Sequence, residues 1–520
     1  MKQDILWVDL ETRSRCDLPK RGVYNYAADK STEILIASYA INDEDIKRWE
    51  PWRGQSIPAR LANALRNKRV QLRAHNATFE RLLLSSAKLC DAAPERWHCT
   101  SMQARACALP AALDNLMRAL LMGSGTKVPQ KDHRGSALIR ELSIPREDGT
   151  FNNDKLLLEE FGEYCDQDVH TMRTASMMMP ALTDEAQRVW RANEVINDRG
   201  LPIDIELCEL AVKYAAAESA EAESEVQRLT RGALKKARGT KLLEWVYDKL
   251  PPEAQRLMRV KSKMTARARA DAESNTGTDA PADKRTLDSD TRAALLNMAE
   301  ENTGLIDPEV VEVISAADAA ASSSVAKFER MRNIAGADGR LRGAFIANGA
   351  SGTGRFSSTG SQLHNFPREC AKDPEAVKTA MRRGEDLGGS VLRTLKSMLR
   401  PAIYAGASRR IVRCDWSAIE ARGLPWLTHR AAAVHYLDAF RDKSRDIYVE
   451  QSHAAGLGGE RQPGKVVVLS LGYGGAEGAL NAMAKAYGVT IPNPKRVVQR
   501  WRAANKWAPD WWYEMERMAK

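Results

Sequence analysis

The sequence predicts a multidomain chain of mixed α/β and α+β class. Three observations lead there. At 520 residues and 43% hydrophobic content, the chain is long enough for roughly two to four separately cored domains. Short apolar runs at residues 5–12 and 411–415 read as strands that carry or end in carboxylates. Between them lie long stretches of helical pattern, above all 184–200 and 205–229. The divisions that follow are residues 1–182, 183–338 and 339–520.

Composition narrows the function classes. No apolar run reaches the length of about 18 residues needed to span a membrane. The N-terminus, Met-Lys-Gln-Asp-Ile-Leu-Trp-Val-Asp, has no secretory apolar segment, so a cytoplasmic location without a signal peptide is expected. Eight cysteines occur with no Cys-x-x-Cys pair, which disfavours zinc ribbons and fits reduced thiols. A net charge of +10 suits a polyanionic partner.

In the first segment, residues 5–12 read Ile-Leu-Trp-Val-Asp-Leu-Glu-Thr, a buried strand. Asp9 and Glu11 are two apart and so point to one face. Side by side they repel unless a cation lies between them; the plainer reading is an acidic strand end. Residues 73–84 offer Asn76 as a helix cap and Glu80 one turn later. In 161–170, Tyr164 and Asp168 are four apart and share a helix face, which as a lone pair is surface decoration.

The middle segment carries helices and charge. The helical pattern of 184–200 closes on Gly200, a residue suited to follow a helix C-terminus. Residues 201–204 form an extended turn, and 205–229 is Ala/Glu-rich and strongly helical by propensity. Residues 272–283 read as a loop. Residues 322–332 form a basic helix, either a solvated face or a grip on a duplex backbone.

The last segment is the most informative. Residues 352–368, Gly-Thr-Gly-Arg-Phe-Ser-Ser-Thr-Gly-Ser-Gln-Leu-His-Asn-Phe-Pro-Arg, have the composition of a loop, phosphate-binding or structural. In 411–424 an apolar run ends at Asp415, and a helical pattern follows with Ser417, Glu420 and Arg422. Asp415 reads as a metal ligand at a strand end or as a helix cap. In 461–474, Arg461, Lys465, Leu469 and Tyr473 recur every four residues, a stripe along one helix face. Pro463 is tolerable only in the first turn, so the helix starts there. An Arg and a Lys one turn apart at a helix N-terminus suit a triphosphate. The plainer reading is a buried apolar helix with a basic cap.

In this order the stretches resemble the family A DNA polymerases, the DNA polymerase I-like enzymes of phage type, with a DnaQ-like 3′–5′ exonuclease domain. The resemblance implies a ribonuclease H-like exonuclease domain at 1–182, a helical connector and thumb at 183–338, and the palm and fingers of a right-hand polymerase at 339–520. In the exonuclease, Asp9, Glu11 and Asp168 match metal ligands, Tyr164 matches the tyrosine that orients the attacking water, and Glu80 stands where bacterial members have Asp. In the polymerase, Thr-Gly-Arg-Phe-Ser-Ser places Arg355 at the primer terminus, with His364 where bacterial members have Gln. Asp415 matches the metal-binding aspartate, and Glu420 the glutamate that excludes ribose; Trp416 and Ala418 replace the usual Tyr and Gln. Arg461 and Lys465 match the triphosphate grip, Leu469 replaces an aromatic, and Tyr473 would lie near the templating base. The implied cofactor is Mg²⁺ in two-metal sites, with Mn²⁺ as a substitute. The implied partners are a DNA primer-template and dNTPs, in a bacterial host or phage-infected cell.

One family motif has no counterpart. His-Asp-Glu, which carries the second polymerase carboxylate, is absent: no His follows His453, and Asp510 is the one Asp after Gly474. The expectation is a chain incomplete at its C-terminus, lacking the last palm strands and polymerising poorly alone. A separate polypeptide, or a gene interrupted downstream, would account for the missing segment. The alternatives are an exonuclease joined to a polymerase remnant and a DNA-binding protein without catalysis.

Overall fold

A five-stranded sheet is built around one strand that is buried on both faces. Strand β1 (Ile5–Arg13) is a near-continuous apolar run, the pattern of a central strand rather than of a sheet with one wet side. Antiparallel to it lies β2 (Glu33–Ile41), followed outward by antiparallel β3 (Lys47–Trp49). On its other side run β4 (Gln71–Ala74) and β5 (Trp97–Cys99), both parallel. The order is β3-β2-β1-β4-β5. The β1–β2 register shifts between Glu11 and Thr12. The computed structural model describes residues 3–122, 134–260, 284–320, 325–350, 352–406 and 408–519. These form two compact units, Met1–Ile411 and Val412–Lys520.

In the first unit, helix α1 (Thr78–Ser86) follows β4. Asn76 does not cap it. Its φ of 66° turns the chain instead, and the N-cap residue is Ala77 with no side-chain cap bond. Helix α2 (Lys155–Met178) packs across β1 and β2. Asp154 caps it by accepting from the Leu156 and Leu157 N–H groups, and Phe161, Cys165, Val169 and Met172 are buried along it. Helix α3 (Asp184–Arg199) ends at Gly200, whose φ is 63°, as the sequence predicts. Helix α4 (Ile205–Leu229) spans two cores. Leu207, Cys208 and Ala211 pack with Phe328, Met331 and Leu395. Further along, Val226 joins Leu242, Val246, Val310 and Ile314.

The 322–332 expectation is met in part: the helix runs Ala326–Ile334, with Phe328 and Met331 buried, and residues 322–324 lie outside the described residues. The 272–283 loop also falls outside them.

Residues 352–368 are not wholly loop. Strands β6 (Phe345–Ala350) and β7 (Arg355–Ser358) pair antiparallel as a hairpin. Gly349 permits the close approach: a Cβ there would lie 1.8 Å from Ser357 Oγ.

The second unit is helical. Helices α5 (Ile419–Thr428), α6 (Ile447–Ala455) and α7 (Arg461–Leu471) pack around Val466, Val467, Leu471, Tyr436 and Trp501. Gly464 lets α7 meet α6 at backbone distance, since a Cβ there would be 1.8 Å from the Tyr448 carbonyl oxygen. The strand expected at 411–415 is absent; the segment is irregular, and Ile411 and Val412 are exposed. Among the described residues no strand pairs with it, so its apolar side chains have no sheet to bury against.

Candidate functional site

Three distant stretches deliver four carboxylates to one place on the first unit. Strand β1 presents Asp9 and Glu11 on the same face, opposite Ser38 and Ile36 of β2. Helix α1 contributes Glu80 in its first turn, 3% exposed. Helix α2 contributes Tyr164 and Asp168 one turn apart on one face, the Tyr164 hydroxyl close enough to work against the rise of the Asp168 carboxyl. The Tyr164 ring lies against Gly135, where a Cβ would come within 2.4 Å of it. Cys165, wholly buried, places its Sγ 3.4 Å from Asp9 Oδ2.

The electrostatics follow from crowding in a dry pocket. Burial, then the nearby Asp168 charge, pushes Asp9 up to about 7, against the thiol contact of Cys165. Asp168 rises to about 6, chiefly through burial, with the Tyr164 hydroxyl opposing and Asp114 assisting. Glu11 is raised well above its ordinary value by burial and then by Asp9, Asp168 and Glu80. Glu80 is raised by burial and by Asp9. Burial and the adjoining Asp168 hold the Tyr164 phenol protonated. His75, which follows β4, is pushed down to about 4 by burial. The His75 Nε2 donates to the Ala111 carbonyl at 2.7 Å, so its Nδ1 accepts from the Thr100 hydroxyl.

The cluster fits a divalent cation. Glu80 Oε2 is buried without a hydrogen-bond partner. Mutually repelling carboxylates lose their cost when a positive charge lies among them. Oxygen donors of this kind suit Mg²⁺ or Mn²⁺. Asp9, Glu11, Glu80 and Asp168 are the residues able to hold it.

Sequence reasoning missed two members of this region. Cys165 follows Tyr164 directly, and the helical period turns it toward β1; a check of which side chains face Asp9 finds it. Arg81 follows Glu80 and is 0% exposed. Its guanidinium binds Asp198 twice, at 2.8 and 2.9 Å, and Glu194 at 2.9 Å, both on α3. Thr78 adds a bond to the same Glu194 oxygen at 2.8 Å. Nothing in the sequence marks this arginine as buried.

The same α3 holds the hairpin. Asn197 Nδ2 donates to the Phe345 carbonyl at 2.8 Å, and Asn197 Oδ1 accepts from the Phe345 N–H at 3.0 Å. Asn193 donates to that carbonyl as well. Arg355, on β7, is exposed. The His364 ring lies 5.7 Å from that of Phe345.

In the second unit, α7 buries Pro463, Gly464, Val466, Val467, Val468, Ser470 and Leu471. The stripe Arg461, Lys465, Leu469 and, just past the helix, Tyr473 is exposed or half-buried. Arg461 pairs with Asp446 at 2.6 Å and lies over the Tyr448 ring. Burial works upward on Asp446, but the Arg461 bond and the Tyr448 N–H outweigh it and hold the carboxyl below its usual range. Lys465 lies over the Tyr487 ring at 5.2 Å. Tyr448 is raised by burial; the Arg461 charge opposes this and the neighbouring Glu420 adds to it. Asp415 is exposed, beside Trp416 at 79% exposure.

The chain is 28% identical to a DNA polymerase of Bacillus phage SP02 over 536 residues, covering 99% of this chain and 76% of that protein. Its fold matches the polymerase domain of Pol1 from M. smegmatis, solved with DNA primer-template and dNTP. That match has a TM-score of 0.51 at 16% identity and covers 99% of this chain and 75% of the other. The family A resemblance read from the motifs is borne out. No family model matches the chain. No helix among the described residues is long and apolar enough to cross a membrane.

Proposed function

We propose that the chain is a DNA-directed DNA polymerase of family A carrying a 3′–5′ exonuclease site. The polymerase reading is carried by the near full-length similarity to a phage DNA polymerase. The exonuclease reading is carried by the convergence of Asp9, Glu11, Glu80 and Asp168 from segments about 70 to 90 residues apart. The strand order of the sheet, with β1 central and antiparallel only on the β2 side, supports a ribonuclease H-like domain there.

Divalent cations, Mg²⁺ or Mn²⁺, supply a nucleophile at neutral pH and stabilise the departing oxygen of a phosphodiester. The residues do the rest. Asp9, Glu11, Glu80 and Asp168 hold negative charge in a dry pocket, where it attracts such ions most strongly. Tyr164 keeps its proton and turns its oxygen toward an incoming water. In the polymerase half, the solvent-facing Arg461 and Lys465 suit the triphosphate of a dNTP. Asp446 fixes the Arg461 guanidinium before the nucleotide arrives. Glu420 restricts the sugar, Leu469 and Tyr473 flank the base, and Arg355 on its hairpin meets the primer. Asp415 is the carboxylate for the polymerase metals; the second, in a His-Asp-Glu segment, is not among these 520 residues.

A 5′-labelled primer on a longer template, with Mg²⁺ and with or without dNTPs, reads both activities. Shortening without dNTPs is the expected outcome, with lengthening in their presence that is weak because Asp415 lacks its partner carboxylate. Asp9→Ala should cut shortening by on the order of 100- to 1000-fold, the scale of losing one charge-stabilising group, and leave lengthening in place. Unchanged DNA that is nonetheless bound would overturn the enzymatic reading.

A further inference from the structure

We propose that the Asp9 cluster is also a site for a soft or borderline divalent cation such as Cd²⁺ or Zn²⁺, held by the Cys165 sulfur together with the carboxylate oxygens. Asp9, Glu11 and Cys165 bring one donor atom each to within 4.8 Å of one another. The sulfur lies 3.4 Å from Asp9 Oδ2 and 3.6 Å from the Asp9 carbonyl oxygen, so no rearrangement of the backbone is needed for both to share one ion. Glu80 supplies a second, independent indication. Its Oε2 is buried without a partner beside Asp9, an open acceptor in the same pocket. Sulfur plus carboxylate oxygens make a mixed donor set that zinc-like ions would accept and Mg²⁺ does not prefer.

On binding, the Cys165 thiol proton leaves to solvent and the thiolate becomes the ligand. Cys165 therefore sets which cation the pocket retains. Hard ions use the oxygens alone, whereas a soft ion is held by one more bond and displaces them. The site becomes a point of inhibition by trace soft metals.

This inference rests on the reading of the carboxylates as a metal site, yet its test reads spectra and selectivity rather than nuclease activity. The full chain is titrated with Cd²⁺, and separately with Mg²⁺, by calorimetry and by the ultraviolet sulfur-to-metal charge-transfer absorption. Seven other cysteines give a background, so Cys165→Ala, Cys165→Ser and Glu11→Gln are compared with the unmodified chain. The expected result is that both Cys165 variants lose one equivalent of Cd²⁺ absorption and at least about 10-fold in affinity at that step, while Mg²⁺ affinity changes far less. Glu11→Gln should remove the same absorption, tying it to this pocket. Absorption that persists in the Cys165 variants, or that ignores Glu11→Gln, overturns the proposal. So does an equal loss of both cations. Failure of the exonuclease reading would show differently, as intact Mg²⁺ and Cd²⁺ binding without primer shortening.

Discussion

Asp9 and Asp168 make the pocket pH-sensitive, with a definite sign. Their folded values, about 7 and about 6, lie above the unfolded 3.8. Protonation therefore favours the fold. That contribution is full below about pH 3.8 and is lost as pH rises through about 6 to 7. Without metal, the melting temperature should accordingly fall between pH 5 and pH 8, and Asp9→Asn should flatten the fall. Added Mg²⁺ should reverse it at the alkaline end, because the cation binds the ionised form and the folded chain only. A melting temperature that rises across this window without metal would contradict the assignment of the cluster as buried and mutually repelling.

Elements are fixed by a few contacts of high cost. Arg81 ties α1 to α3, and removing it strands the buried Glu194 carboxylate. Arg81→Met should destabilise the first unit by about 3–5 kcal/mol, the range for breaking a buried ion pair from one side. Pairing it with Glu194→Gln should recover much of that loss in urea denaturation, since no buried charge then remains unpaired at that position. In the second unit, Gly464→Ala drives a methyl into the Tyr448 carbonyl. It should cost about 1–3 kcal/mol by forcing α6 and α7 apart, while Gly478→Ala, with open space around it, should not. Element placement was legible where the signal is local. The bounds of α3 and α4 follow from periodicity and Gly200, and β1 follows from its apolar run. Strand β7 was hidden because Arg-Phe-Ser-Ser is short, is bracketed by glycines, and gains a partner only when β6 folds back. The 411–415 run misled in the opposite direction, since apolar character makes a strand only beside another strand.

For the whole molecule, the motif order carried the polymerase resemblance, and the near full-length similarity to a phage DNA polymerase agrees with it. The site was legible in its carboxylates because spacing on a strand and a helix fixes which face they share. It was not legible in Cys165 or Arg81, whose neighbours come from distant segments. Helix α3 has one further consequence, for how this chain tolerates gene shuffling. Its successive residues Asn193, Glu194, Asn197 and Asp198 alternate between two clients, the hairpin bearing Arg355 and the arginine next to Glu80. A crossover near residue 182 would therefore split one fitted joint between two parents. Deletion of residues 1–182 should leave Glu194 facing solvent or a void and loosen the hairpin, seen as lost amide-exchange protection at Phe345. Chimeras that keep residues 78–92, α3 and the hairpin from one parent should retain that protection, because the unit that is inherited is the joint and not the domain.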